Sequence, residues 1–194
     1  MTIKRGKLLV FSAPSGAGKT TIVRSVLDKF PELAFSISAT TRERRETEVE
    51  GKHYFFISEN EFKKKIEQNE FVEWEKFYDY YYGTLKSHVE NLLNEGRNVV
   101  LEVDVKGAIQ IKKVYPDSVL IFVMPPSFDI LKDRLVKRNT ESQVDLQKRL
   151  ERVELELSYK DHFEHIIVND DLNYALDEAE NIIKNILNGV KNGN

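Results

Sequence analysis

Residues Ala13-Pro14-Ser15-Gly16-Ala17-Gly18-Lys19-Thr20 constrain the fold more than any other stretch of this chain. They follow the apolar run Leu8-Leu9-Val10-Phe11 and lead into a helical pattern that reaches Lys29. A buried strand, a loop of small residues, Gly-Lys-Thr and then a helix make a phosphate-binding loop. Gly16 and Gly18 let the backbone curl so that its N–H groups point into one hollow. The helix N-terminus adds partial positive charge there. Lys19 has the reach for the outer phosphates of a nucleoside triphosphate, and the Thr20 hydroxyl can hold Mg²⁺. Ala13 stands where the strict pattern has Gly, which a small residue tolerates if the position needs no positive φ.

The rest of the chain supplies a sheet for that loop. Apolar runs at Lys7–Ser12, Asn98–Asp104, Ser118–Met124 and His165–Asn169 alternate with helical patterns. The helices are expected at Lys19–Lys29, Lys106–Val114, Ser127–Lys137, Gln143–Tyr159 and Leu172–Val190. Near-continuous apolar strands separated by amphipathic helices predict an α/β fold with a parallel sheet covered on both faces. The middle third reads differently. After a second strand at Leu33–Ile37, the aromatic runs His53–Ile57 and Phe71–Phe77 read as short strands, with Ser58-Glu59-Asn60-Glu61 as a capping box opening a helix between them. A small α/β insertion from about Ser38 to Asn94 therefore interrupts the parallel sheet.

Bulk properties narrow the function classes. The 194 residues are 41% hydrophobic, enough for one sizeable core, and no apolar run approaches the ~20 residues of a membrane helix. The short segment before the first strand leaves no room for a signal peptide, so a cytoplasmic location and no membrane partner are expected. The absence of cysteine excludes disulfides, zinc–thiolate sites and thiol catalysis. A formal net charge of -3 argues against general nucleic-acid binding. The four histidines (His53, His88, His162, His165) show no metal-ligand spacing and read as structural or surface groups.

Three further clusters carry chemistry. Ser38-Ala39-Thr40-Thr41-Arg42-Glu43-Arg44-Arg45 combines guanidinium groups with hydroxyls, as a phosphate ester requires, although Glu43, Glu46, Glu48 and Glu50 equally allow a salt-bridged loop. Glu73-Trp74 and Tyr80-Tyr81-Tyr82-Gly83-Thr84 place a carboxylate among aromatics; a carboxylate accepts the paired N–H donors on the Watson–Crick edge of guanine, and the rings either stack on a base or fill a small core. Asp104 ends a sheet strand, where it can meet a second substrate, hold Mg²⁺ through water, or cap a helix. Arg134, Arg138 and Arg149 flank the polar break Asn139–Ser142 and read either as a charged helix surface or as arginines that close over a transferring phosphoryl group.

Taken in order along nearly the whole chain, these pieces resemble the guanylate kinase family. The resemblance runs through Ser12–Thr21, Phe35–Arg45, Gly51–Phe56, Glu70–Trp74, Tyr81–Thr84, Glu102–Gly107, Pro125-Pro126-Ser127, Arg134–Arg149 and Ile167–Asp171. The Ser-x-x-Thr-Thr-Arg-x-x-Arg and Tyr-Tyr-Gly-Thr elements make it far more specific than the phosphate loop alone. It implies a three-layer core with a parallel sheet (about 1–37, 95–136 and 160–194), a GMP-binding insertion (about 38–94) and a helical lid (about 137–159). By position, Arg42, Arg45, Tyr54 and Tyr82 would hold the GMP phosphate, and Ser38, Glu73, Thr84 and Asp104 would read the guanine. Ala13 to Thr21 would cradle ATP, with Asn169 and Asp170 near its adenine. Lys19, Arg45, Arg138 and Arg149 would steady the transferred phosphoryl, with Arg134 in support. The family usually has Pro and Gly at Arg44 and Thr47, Asp at Glu102, Gln at Lys106, Asn at Tyr80 and Gly at Asn139.

The implied reaction is ATP + GMP → ADP + GDP with Mg²⁺, dGMP being a further acceptor, in a monomer or homodimer. The acceptor is a phosphate oxygen, largely dianionic at neutral pH because its second pKa lies near ~6, so no general base is needed. Lid and insertion are expected to close over the substrates to exclude water. Two rivals remain at this point: a kinase for another phosphorylated acceptor, and a catalytically inactive protein-binding module of similar fold. The second typically lacks an intact phosphate loop and the lid arginines, whereas Lys19, Thr20, Arg138 and Arg149 are all present here.

Overall fold

The computed structural model describes residues 4–77, 79–137 and 143–189. The chain opens with β1 (Leu8–Ser12), buried throughout, and α1 (Lys19–Lys29), whose Ile22, Val23 and Val26 form one buried stripe. Next come β2 (Ala34–Phe35), β3 (Ser38–Thr40), β4 (Phe55–Phe56), α2 (Glu59–Glu67), β5 (Phe71–Phe77), β6 (Tyr80–Leu85) and α3 (Lys86–Asn94). The remainder is β7 (Val99–Glu102), α4 (Val105–Val114), β8 (Val119–Met124), α5 (Phe128–Lys137), α6 (Gln143–Ser158), β9 (His165–Val168) and α7 (Leu172–Leu187). Five strands join in the order β2-β7-β1-β8-β9, with β2–β7 and β8–β9 parallel. The expected α/β class with a parallel central sheet is what the chain adopts, and its apolar strands are of the kind that need helices on both faces.

The sequence reading misplaces part of the middle third. A strand over Leu33–Ile37 is expected, but only Ala34 and Phe35 pair with β7, opposite Val99 and Val100. The Ser36 N–H still donates to the Val100 carbonyl at 2.9 Å, and Ser38–Thr40 then pairs with β6 and β4 instead. β3, β6 and α3 carry no strand or helix expectation in the sequence. Expected Val190, at the end of the last helix, lies outside the described residues.

The chain divides into two compact units. One comprises the residues up to Val10, Glu32–Leu101 and Lys106–Val119. Its distinctive part is a four-stranded sheet in the order β4-β3-β6-β5, parallel between β3 and β4 and antiparallel elsewhere. Fully buried Phe62 of α2 stacks on Phe71 with centroids 4.2 Å apart and lies 5.3 Å from Tyr81. An offset pair of this kind adds to the area that the rings bury. The Ser58 hydroxyl accepts a hydrogen bond from the Glu61 N–H at 3.2 Å, the N-cap half of the expected capping box. His88, half-buried against Phe55, has its pKa lowered by burial.

The other unit comprises Phe11–Pro31, Glu102–Val105 and the chain from Leu120 on. Leu131 and Leu135 of α5 pack with Leu150 and Val153 of α6, and Phe128 and Leu157 flank them. Ala175, Ala179, Ile183 and Ile186 form the buried face of α7, at the spacing expected of a helix laid on a core. The Asp171 carboxylate caps this helix by accepting from the N–H groups of Asn173 and Tyr174. No helix among the described residues is long and apolar enough to cross a membrane.

Candidate functional site

The phosphate loop lies in the second unit, between β1 and α1. Gly16 and Gly18 have φ of 90° and 94°, the left-handed region that other residues pay strain to enter. Ala13 does not have positive φ, which explains why this position accepts a side chain. The Ala17 N–H donates to the Pro14 carbonyl at 3.1 Å, closing the turn. The Lys19 ammonium donates to the Val103 carbonyl at 2.6 Å, just past the end of β7. The Thr20 hydroxyl donates to the Glu102 carboxylate. Thr21 is exposed on the first turn of α1.

Both faces of the loop are gripped by side chains from distant sequence. The Ser15 hydroxyl accepts from Arg149 Nε at 3.1 Å and Nη2 at 2.8 Å, while its N–H donates to Glu156 Oε2 at 3.3 Å. Arg152 links Glu156, at 2.9 Å, to Asp104, at 3.5 Å. On the other side Asn169 Nδ2 donates to the Ala17 carbonyl at 2.7 Å, and Arg134 donates to the Asn169 carbonyl at 3.1 Å. Asp170 follows as an exposed residue. Arg138 lies outside the described residues. The loop therefore gathers Lys19, Thr20, Arg134, Arg149 and Asn169 from the sequence-derived set. It adds Glu102, Arg152 and Glu156, which that set omits.

Gly18 is the tightest point of this grip. A Cβ built there would lie 2.3 Å from Asn169 Nδ2, and φ is 94°. Gly18→Ala is expected to break the Asn169–Ala17 bond and to cost about 1–3 kcal/mol in left-handed strain. Denaturant unfolding monitored by circular dichroism reads that loss, and an unchanged midpoint would show that the loop relaxes around the methyl group.

The second cluster lies in the first unit. Ser38 of β3 pairs with Thr84 of β6, and Thr84 pairs with Glu73 of β5, so the three side chains stand in one row across the sheet. The Thr84 hydroxyl donates to Glu73 Oε1 at 2.6 Å, and Glu73 and Thr84 are only 6% and 1% exposed. Burying a carboxylate is costly unless donors meet it, so this position is kept for an acceptor. A register shift between Phe71 and Glu73 makes Val72 and Glu73 both buried, against the strand's alternation. Such a bulge re-aims a side chain.

Two residues further along the same strands, Thr40 pairs with Tyr82. Tyr82 lies against Tyr54, with ring centroids 6.2 Å apart, and the Arg42 guanidinium sits 5.5 Å from the Tyr54 ring centroid. Arg42 forms a two-pronged ion pair with Glu48, Nη1 to Oε2 at 3.0 Å and Nη2 to Oε1 at 2.8 Å. The pair raises the Arg42 pKa and holds the Glu48 carboxyl down to about 2. Arg45, exposed, donates its backbone N–H to the same carboxylate at 2.9 Å. Ser38, Arg42, Tyr54, Glu73, Tyr82 and Thr84 thus meet on one sheet and its adjoining loop, whereas Asp104 belongs to the other unit.

The family model for guanylate kinase matches residues 5–186. The chain belongs to the guanylate kinase family. It is 50% identical over 183 residues to a guanylate kinase of Chlorobium chlorochromatii, covering 94% of this chain and 96% of that one. It is 46% identical over 180 residues to one from Thermotoga maritima, covering 93% and 87%. Among solved structures, the guanylate kinase from Anaplasma phagocytophilum superposes with a TM-score of 0.76 at 27% identity, covering 99% of this chain and 90% of that one. Within this guanylate kinase frame, Thr47 stands where the sequence reading expects Gly, and its φ is not positive, so the turn that closes Glu48 N–H onto the Arg45 carbonyl accepts it.

Proposed function

We propose that the protein transfers the terminal phosphoryl group of ATP to GMP, giving ADP and GDP, as an enzyme of purine nucleotide metabolism in the cytoplasm. The observation that carries this reading is the buried Glu73 carboxylate, hydrogen-bonded to Thr84 and in register with Ser38, in a chain that also holds a complete phosphate loop. Guanine presents two adjacent N–H donors on its Watson–Crick edge. A buried carboxylate can accept both, whereas adenine places an acceptor against it.

In this reading Ser38, Glu73, Thr84 and Asp104 read the base, while Arg42, Arg45, Tyr54 and Tyr82 hold the GMP phosphate. The loop from Ala13 to Thr21 cradles the ATP phosphates, with Arg134, Asn169 and Asp170 beside it. A GMP phosphate oxygen attacks the γ-phosphorus of ATP, and the bond from that phosphorus to the bridging oxygen breaks, leaving ADP. Lys19, Arg45, Arg138 and Arg149 neutralise the charge that spreads over the moving group. Lys19 would exchange the Val103 carbonyl for phosphate oxygens.

The Thr20 hydroxyl and Glu102 carboxylate are hard oxygen donors and suit Mg²⁺. In nucleotide sites Mg²⁺ is held by one or two protein oxygens together with substrate phosphates and water. Thr20 would hold Mg²⁺, with Glu102 and Asp104 reaching it through water. The ion supplies charge neutralisation.

A turnover assay of ADP release over GMP, dGMP, AMP, UMP and CMP tests the reading. GMP and dGMP are expected to be used, and AMP, UMP and CMP to fall at least ~10³-fold below GMP in kcat/KM. AMP turned over as well as GMP would overturn guanine recognition, and no ADP release with any acceptor would favour the binding-module reading.

A further inference from the structure

We infer that Glu48 is a positioning residue for the acceptor phosphate: its one carboxylate sets the guanidinium of Arg42 and the backbone of Arg45, so that both arginines present to a single phosphate ester. The inference rests on the proposal that Arg42 and Arg45 hold the GMP phosphate. Glu48 lies on the loop between β3 and β4, and its carboxylate does two separate things there. Its two oxygens take the Nη1 and Nη2 N–H groups of Arg42 end-on, and Oε2 also takes the Arg45 N–H. Arg42 Nη1 further donates to the Glu43 carbonyl at 2.7 Å. These bonds engage three of the five guanidinium N–H groups. The side-on fork, Nε–H with the second Nη2 hydrogen, is the geometry that grips two oxygens of a phosphate, and the Tyr82 hydroxyl, which the proposal places on the same phosphate, also meets this guanidinium.

The aromatic rings complete the orientation. The guanidinium carbon lies 5.5 Å from the Tyr54 ring and 5.8 Å from the Phe56 ring. The side chains of Arg42 and Glu48 are each only 13% exposed. A long arginine otherwise loses much of its rotamer freedom when it is fixed by a ligand. Glu48 fixes it before the ligand arrives. The cost is charge, since Glu48 cancels much of the pull of Arg42 on an anion. What remains is directional: the site selects a phosphate held in one orientation rather than any anion nearby.

The experiment compares wild type, Glu48→Gln, Arg42→Ala and the double variant. It measures KM for GMP and for ATP by ADP release, and the affinity for guanosine, which lacks the phosphate, by calorimetry. Glu48→Gln is expected to raise KM for GMP by ~10- to ~100-fold, the range of one to two charge-assisted hydrogen bonds, with KM for ATP and guanosine affinity unchanged. In the Arg42→Ala background the same change is expected to cost at least about threefold less than in wild type, because of the two arginines it positions only Arg45 remains. An unchanged KM for GMP in Glu48→Gln, with Arg42→Ala still impaired, overturns the role of Glu48 alone. A lowered KM would overturn it too, by showing the carboxylate to be a competitor of the phosphate. Guanosine affinity that falls in parallel with GMP marks a purely structural role and also overturns it. Arg42→Ala with normal KM for GMP removes the phosphate proposal, and the Glu48 inference falls with it.

Discussion

Replacing Lys19 by Ala is expected to lower kcat by a factor of ~10³ or more while leaving the fold in place. A thousandfold loss corresponds to about 4 kcal/mol of transition-state stabilisation, within the range for removing a fixed positive charge beside a transferring phosphoryl group. The folded state stands to lose much less. The Lys19 ammonium makes a hydrogen bond to the Val103 carbonyl, and one such bond contributes about 1–2 kcal/mol. The two quantities therefore separate in one variant: circular dichroism and the unfolding midpoint shift slightly, and single-turnover ADP formation collapses. Near-normal turnover would remove Lys19 from the chemistry and with it the reading of Ala13–Thr20 as the donor site.

The second large effect is expected from Glu73→Gln. The substitution keeps the shape of the side chain and leaves an oxygen for the Thr84 hydroxyl, so the hydrogen bond seen at 2.6 Å can persist. It also places an N–H₂ where two guanine donors would need acceptors. A site organised around hydrogen bonds rejects a mismatched edge by ~10³–10⁴ in kcat/KM, and GMP is expected to lose that factor. KM for ATP is expected to hold. Unchanged kcat/KM for GMP would exclude Glu73 from base recognition and leave the buried carboxylate as a feature of the sheet alone.

Which parts of this protein can be read without coordinates follows from where each element gets its stability. The helix Lys19–Lys29 appears with its expected bounds because its start is announced by glycine and its buried stripe is local. The strand Phe71–Phe77 appears as expected because aromatic and β-branched residues suit a pleated surface. β3 is invisible in sequence because Ser38–Thr40 is held by pairing with β6, more than forty positions away, whereas β6 pairs with adjacent β5 and its tyrosine run suits a strand that the sequence reading does not assign. α3 contains Val89 and Leu93 at helical spacing, but Leu85 precedes it with no side-chain cap, so the usual start signal is missing. The candidate site divides the same way. The phosphate loop and the arginine cluster are contiguous motifs. Arg152 and Glu156 sit among other charges and look like solvated surface until their distant partners Asp104 and Ser15 are known, whereas Glu48 pairs with nearby Arg42 and Arg45 and is one of four acidic residues that could. Arg149 and Arg152, three residues apart on one helix, are the only local hint that this face of α6 has work to do.

The row Ser38–Thr84–Glu73 has an implication for how this family can vary. Its alignment is set by strand register, and the β5–β6 hairpin closes tightly, with Phe77 opposite Tyr80. Adding or deleting one residue at that turn would slide β6 by one position, bringing Gly83 or Leu85 opposite Glu73 and turning every β6 side chain to the other face. On the proposed reading of Glu73, base selection is thus tied to the number of residues between Phe77 and Tyr80.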